Sequence, residues 1–280
     1  MGGGTLSGSA TNVGMMTASG AASKTLYSSC RLYNPGTLAV TDSGALVFDG
    51  GVLGNLPSGT VDLQSDAAMS LVYGHTGSIT NWGLFRKSGG TGTSAISPVF
   101  NNQNGSIEVD SGVLSLGSGS YSQGSGTLTV ALGGRGAGQS GKLAVGTTAN
   151  LAGTLNVTLA NGFALATGDR FQILSCATRN GTFSTVNLPP GTALNYSNNA
   201  VFLVVTNALP VLITSPALSG TNFALSFDTL NSQSYTIERN DDLGTTNWVF
   251  QTNFLGNGSL MQVVVPVTNA AQRFFRVREP

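Results

Sequence analysis

His75 is the only histidine in the chain, so a His–His metal site is not available within it, and Ser–His catalysis, which is not expected, would have to use this one ring. It lies in Tyr73-Gly74-His75-Thr76-Gly77, which reads as a loop, and a solvated or locally hydrogen-bonded ring is expected. The carboxylates best placed to act together are Asp62, Glu108 and Asp110. If Val61, Leu63, Ile107 and Val109 point inward, period-two alternation turns all three acids outward. Stacked outward acids can bind calcium, or act on a polysaccharide where a basic residue shares their groove. No matching Lys or Arg cluster is evident beside them, and the regular calcium nonapeptide Gly-Gly-x-Gly-x-Asp is missing. A structural role is therefore the first expectation, with calcium or carbohydrate second. Trp82 and Trp248 have the ring faces that stack on sugars, but core packing is expected of both. Asp241 and Asp242 read as an Asx turn, and Arg276 and Arg278 as solvated charges.

Gly136-Ala137-Gly138-Gln139-Ser140-Gly141 fits the dinucleotide fingerprint, and with Lys142 it nearly fits a phosphate-binding loop. Both motifs need a following helix, whose N-terminus holds the phosphate. Here Leu143-Ala144-Val145 reads as a strand, and Leu143 stands where Ser or Thr would hold magnesium. A chain with 39 glycines produces such matches by chance, so a corner is expected, with no cofactor and no catalytic set.

The elements that would position these residues are short strands. Gly, any residue, apolar, any residue, apolar recurs at Gly44–Phe48, Gly59–Leu63, Gly105–Val109, Gly112–Leu116, Gly126–Val130, Gly141–Val145 and Gly153–Val157. Gly77-Ser78-Ile79 and Gly181-Thr182-Phe183 are weaker copies. The alternation sends one side chain in and the next out, and the leading Gly supplies the positive φ of a tight corner. One such coil cannot bury its inward face alone, so coils stack, with ladders of like polar residues expected up the outside. An antiparallel meander is the main competitor. Asn104-Gly105 and Asn180-Gly181 fit its two-residue turns, but most corners do not.

Residues 161–207 change character. Asp169–Leu174 and Gly181–Val186 read as longer strands, and Val201–Val205 as a strand covered on both faces. This stretch is expected to hold the last coils and a cap over the open edge. After about Asn207 glycine thins and charge rises. Strands are expected at Phe223–Phe227, Tyr235–Arg239, Trp248–Thr252, Leu260–Val265 and Phe274–Arg278, enough for a small β-sandwich over 208–280.

Composition narrows the class. Charged residues are only 9%, Lys24, Lys87 and Lys142 are the only lysines, and the formal net charge is zero. That argues against nucleic acid and against an anionic membrane surface, both of which need basic faces. No segment approaches the roughly 18 apolar residues of a membrane span. The start lacks a basic and apolar leader and already reads as repeat, so part of a longer or processed chain is expected. Cys30 and Cys176 lie many coils apart. At about 20 residues and about 4.8 Å per coil they are separated by roughly 30 Å or more, too far for a disulfide. Both are expected unpaired, as small buried apolar residues.

Two stretches carry a resemblance. Phe85-Arg86-Lys87-Ser88-Gly89-Gly90-Thr91-Gly92-Thr93, then Phe100-Asn101-Asn102 and Gly105–Leu116, resemble autotransporter-associated β-strand repeats and other adhesin-like passengers. Gly153–Leu188 resembles the end of such arrays. Tyr235-Thr236-Ile237-Glu238, Asp242-Leu243, Asn247-Trp248 and Phe274-Phe275-Arg276-Val277 are similar to C-terminal, fibronectin-like modules of secreted bacterial proteins. The resemblance implies an exported or surface protein with no catalytic residues to carry over, although the barrel of a true autotransporter has no counterpart here. The expected molecule is an all-β chain, a right-handed parallel β-helix over 1–207 and a small β-sandwich after it. It would serve as a structural or adhesive segment outside the cell, in contact with surface glycans. A carbohydrate-binding or polysaccharide-degrading β-helix is the alternative.

Overall fold

The computed structural model describes residues 3–118, 120–205, 211–229, 234–257, 259–267 and 271–278. Among them there are strands and no helix. The chain divides into two compact units, Met1–Phe163 with Asp169–Val204, and Ala164–Gly168 with Val205–Pro280. The expected boundary at Asn207 lies outside the described residues.

The first unit is a parallel β-solenoid of about seven turns. Each early turn visits three faces in order. One turn, for example, runs through Leu46–Phe48 on the first face, Val52–Asn55 on the second and Thr60–Leu63 on the third. Every strand pairs in parallel with its counterpart in the next turn: Leu46 lies opposite Met69, Leu53 opposite Ile79, and Val61 opposite Phe85. Alternation decides which side chains enter. Leu38, Val61, Phe85, Ile107, Leu128 and Leu155 form one buried column on the third face. Leu32, Leu53, Ile79 and Phe100 form another on the second, and the Phe85 and Phe100 rings meet edge to face at 5.0 Å. Each buried aliphatic side chain contributes about 1.5–3 kcal/mol, and none of it is available to an unstacked coil.

The corner glycines follow expectation in part: Gly112, Gly153 and Gly181 take the positive φ of a tight corner, and others do not. At Gly59 and Gly126 the conformation is ordinary, but a Cβ would collide with the corner below: with the Asn34 carbonyl oxygen at Gly59, and with the Gly105 carbonyl oxygen at Gly126. Close approach of stacked backbones, rather than positive φ, requires glycine there. Asn104-Gly105 makes no hairpin. Asn104 takes φ 60° in a corner leading to Ser106–Val109, which pairs in parallel.

Outside, like polar residues stack in short runs, as in the exposed pairs Asn150–Asn180 (2.9 Å) and Asn156–Asn187 (2.7 Å); a longer ladder runs inside. Asn12, Asn34, Asn55, Asn81 and Asn102 occupy the corner between second and third faces in successive turns, and each is buried. Asn12 Nδ2 donates to Asn34 Oδ1 (2.7 Å), Asn34 to Asn55 (2.8 Å), Asn55 to Asn81 (2.7 Å) and Asn81 to Asn102 (2.9 Å). The first four also donate to a backbone carbonyl of the next corner, such as Leu84 O for Asn55. The amides thus satisfy one another where water does not reach.

The hydrogen-bonded sheet of the second face ends with Val99–Asn102; the next strand, Tyr121–Ser122, pairs in parallel with Ala149–Asn150 instead. Later turns use longer strands, Lys142–Leu151 and Arg170–Gly181. The latter absorbs the expected Asp169–Leu174 strand, and Gly181 ends it; the next strand is Thr185–Asn187, so Gly181–Val186 is not one element. Ala200–Val205 pairs antiparallel with Arg170–Gly181, ending the parallel order. Its Val201 and Leu203 are buried, while Phe202 and Val204 are half-buried, so it is covered fully on one face only. Cys30 and Cys176 are both free, as the spacing requires. Cys30 is buried, but Cys176 is half-buried because no parallel turn stacks beyond it.

The second unit holds two three-stranded antiparallel sheets. Thr214–Ser219, Asn222–Asp228 and Leu260–Pro266 form one, and Ser234–Asn240, Val249–Leu255 and Phe274–Arg278 the other. Leu225, Phe227, Val263 and Val265 from the first meet Tyr235 and Ile237 from the second in a shared core, as in a small sandwich. Thr214–Ser219 was not anticipated, because its side chains are mostly exposed and show no clear alternation.

Candidate functional site

Two groups of residues that can do chemistry stand on the solenoid. The first is on the third face. Parallel register puts Asp62, Arg86 and Glu108 in one outward column, with Ala39 before them and Thr129 after. The basic partner that seemed missing is therefore Arg86, brought beside both acids by stacking. Its guanidinium donates to both Asp62 oxygens (Nη2–Oδ2 2.8 Å, Nε–Oδ1 3.3 Å), and Ser88 Oγ (2.6 Å) and Gln64 Nε2 (3.0 Å) donate to the same carboxylate. Asp62 points outward but is buried beneath these neighbours. Burial alone would push its carboxyl up; the hydrogen bonds from Arg86, Ser88 and Gln64 outweigh that and hold it below the ordinary range. Glu108 is held above the ordinary range, by burial first, then by the charge of Asp110 and a hydrogen bond with it, against the pull of Arg86. One acid is thus committed to an ion pair and the other to a neighbouring acid. Among the described residues no group of three or more His, Cys, Asp or Glu is placed to hold a metal ion.

Trp82 is elsewhere. It follows Ser78–Asn81 at the end of a second-face strand and is 43% exposed, so it does not pack in the core. Tyr33, also 43% exposed, and Trp82 both reach over Gly54, where a Cβ would lie 3.4 Å from the Tyr33 ring and 3.7 Å from the Trp82 ring. Trp248 also leaves the core: it is half-buried, with the Arg276 guanidinium 4.2 Å above its ring. Arg276 and Arg278 are not simply solvated, since both pair with Glu238. Asp242 forms the expected turn, accepting the Gly244 N–H at 2.9 Å. His75 is an exposed loop residue whose Nδ1 pairs with Asp49.

The second group surrounds the glycine-rich segment. Gly133–Ser140 is a corner loop between Thr127–Leu132 and Lys142–Leu151, and the strand after it leaves no helix N-terminus for phosphate. The loop borders a groove of about 360 Å³ whose lining includes Arg135, Lys142 and Arg170.

Sequence reasoning missed two interior lysines. Lys24 and Lys87 take slots in inward columns otherwise filled mainly by Leu, Val, Met and Ile. Lys87 is fully buried, and its Nζ donates to Asp66 Oδ1 (2.8 Å), Ser65 O (3.0 Å), Gly89 O (2.8 Å) and Ser94 Oγ (3.2 Å) at a corner. The signal was available: in Leu84-Phe85-Arg86-Lys87, an inward Phe85 requires an inward Lys87.

No protein-family model matches the chain, and no curated protein or solved structure matches it.

Proposed function

We propose that the chain is a structural or adhesive segment of an exported protein, acting outside the cell as a stiff spacer or presentation scaffold without catalysis of its own. The observation that carries this is the buried asparagine ladder, which ties five successive corners by four amide–amide bonds of 2.7–2.9 Å. Bending the stack would break bonds that water cannot replace, which makes the ladder a stiffening device. An outward surface rich in Ser, Thr, Asn and Gly, few charges and the likeness to adhesin-like repeats support the location.

A carbohydrate-binding or polysaccharide-degrading role is the second reading. It is favoured by the gathering of Asp62, Glu108 and Asp110 around Arg86 and by the Tyr33–Trp82 rings over Gly54. Incubating the purified chain with plant, algal and bacterial polysaccharides and measuring new reducing or unsaturated ends separates the two. The scaffold reading expects no release above buffer. Turnover that disappears in Glu108→Gln would overturn it in favour of the second.

A further inference from the structure

We propose that the groove beside the Gly133–Ser140 loop binds a sugar-sized molecule carrying an oxyanion, whether carboxylate, sulfate or phosphate. Charge is the first argument. In a chain of zero net charge, Arg135, Lys142 and Arg170 converge on one groove, and none of its lining residues is acidic. Arg135 is engaged by Asp169 (2.8 and 2.6 Å). Lys142 Nζ donates to the neutral Gln172 Oε1 at 2.7 Å, and the Arg170 guanidinium lies 3.5 Å over the Phe202 ring. Among the described residues neither Lys142 nor Arg170 forms an ion pair with a carboxylate. Positive charge therefore exceeds negative here, where an entering oxyanion would gain charge-assisted hydrogen bonds.

The loop is built to keep its shape. The Gly133 N–H donates to Gln139 O (3.1 Å), the Gly136 N–H to Gln139 Oε1 (2.8 Å) and Ser140 Oγ to Gly134 O (2.7 Å). The Gly112 N–H, from the turn below, donates to Gly138 O at 2.9 Å. Gly138 has φ +74°, and a Cβ there would overlap the Thr91 carbonyl oxygen, so loop and wall are in backbone contact. A wall held this way costs little ordering on binding. Size and lining indicate what carries the anion. About 360 Å³ exceeds what a lone oxyanion fills and lies at the small end of ligand sites, roughly 300–1,000 Å³. Ser140 and Thr93 offer hydroxyls, and Phe171 offers an apolar edge, the mixture that suits a sugar ring.

Isothermal titration at low ionic strength tests the proposal, with glucuronate, glucose 6-sulfate, glucose 6-phosphate, glucose, inorganic sulfate and inorganic phosphate as probes. At least one charged sugar is expected to bind saturably and one-to-one, more tightly than either inorganic ion, while glucose gives no heat. Which charged sugar binds identifies the oxyanion. Lys142→Gln and Arg170→Gln are each expected to weaken binding by about tenfold or more, and Arg31→Gln, on the second face, to leave it unchanged. Should the lysine or arginine variant fail to fold, Thr93→Asp, at an exposed position of the groove, is expected to abolish binding by charge alone. Silence from every charged sugar, inorganic ions that bind as tightly as the sugars, or unchanged affinity in the groove variants would overturn the proposal. The scaffold reading does not depend on this groove, and its polysaccharide assay is unaffected by either outcome.

Discussion

Asp62 is an acid that faces outward by register yet is buried by its neighbours, and its ion pair with Arg86 joins adjacent turns. Removing the charge leaves Arg86 without its carboxylate, and breaking such a pair costs about 3 kcal/mol. Asp62→Asn is therefore expected to lower unfolding stability by about that much in a urea titration at neutral pH. Its folded pKa is depressed, so its stabilisation is present above the ordinary carboxylate range and lost as pH falls through the depressed value. Glu108 has the opposite sign. Its folded pKa is raised, so its contribution is full below the ordinary value and lost as pH rises through the raised one. Glu108→Gln removes that loss: the variant is expected to melt above the parent at neutral pH and level with it near about pH 4. Gln123 is fully buried, and its side-chain amide has no hydrogen-bond partner among the described residues. Gln123→Met is expected to raise stability by about 1–2 kcal/mol, read as a higher urea midpoint.

At the scale of the element, the ladder and the corners decide. Asn55 accepts from Asn34 and donates to Asn81 and to Leu84 O. Asn55→Ala strands buried partners on both sides and opens a small void, and is expected to cost about 2–4 kcal/mol in the same titration. The strands themselves were legible. Gly59-Thr60-Val61-Asp62-Leu63 states its corner, its inward pair and its outward acid without help. The ladder was not, because Asn34, Asn55 and Asn81 sit 21 and 26 residues apart, an irregular spacing that hides their common corner until the turns are stacked. The same irregularity concealed Arg86 as the partner of Asp62, 24 residues away. Trp82 was misjudged for another reason: hydrophobicity predicts burial, but its place just past an inward Asn81 turns it outward. Gly136–Lys142 was correctly a corner, yet its bordering of a cationic groove depends on Arg170, on the next strand of the same face, which no local motif contains.

For the molecule as a whole, the proposed role rests on the first unit being a stiff stack of turns. Its third face offers a ruler. Met15 and Thr185 are exposed positions on the two outermost of eight parallel strands. Seven strand spacings of about 4.8 Å put them roughly 30–35 Å apart. An antiparallel meander of the same strands would have no reason to hold that distance, and a loose stack would spread it. The most direct test is the spin-label distance between Met15→Cys and Thr185→Cys, with Cys30→Ser and Cys176→Ser removing the native thiols, measured by pulsed electron resonance. One narrow distribution at roughly 30–35 Å plus the label tethers is the result expected of a stiff stack. A broad distribution, or a short distance between the two labels, would contradict it.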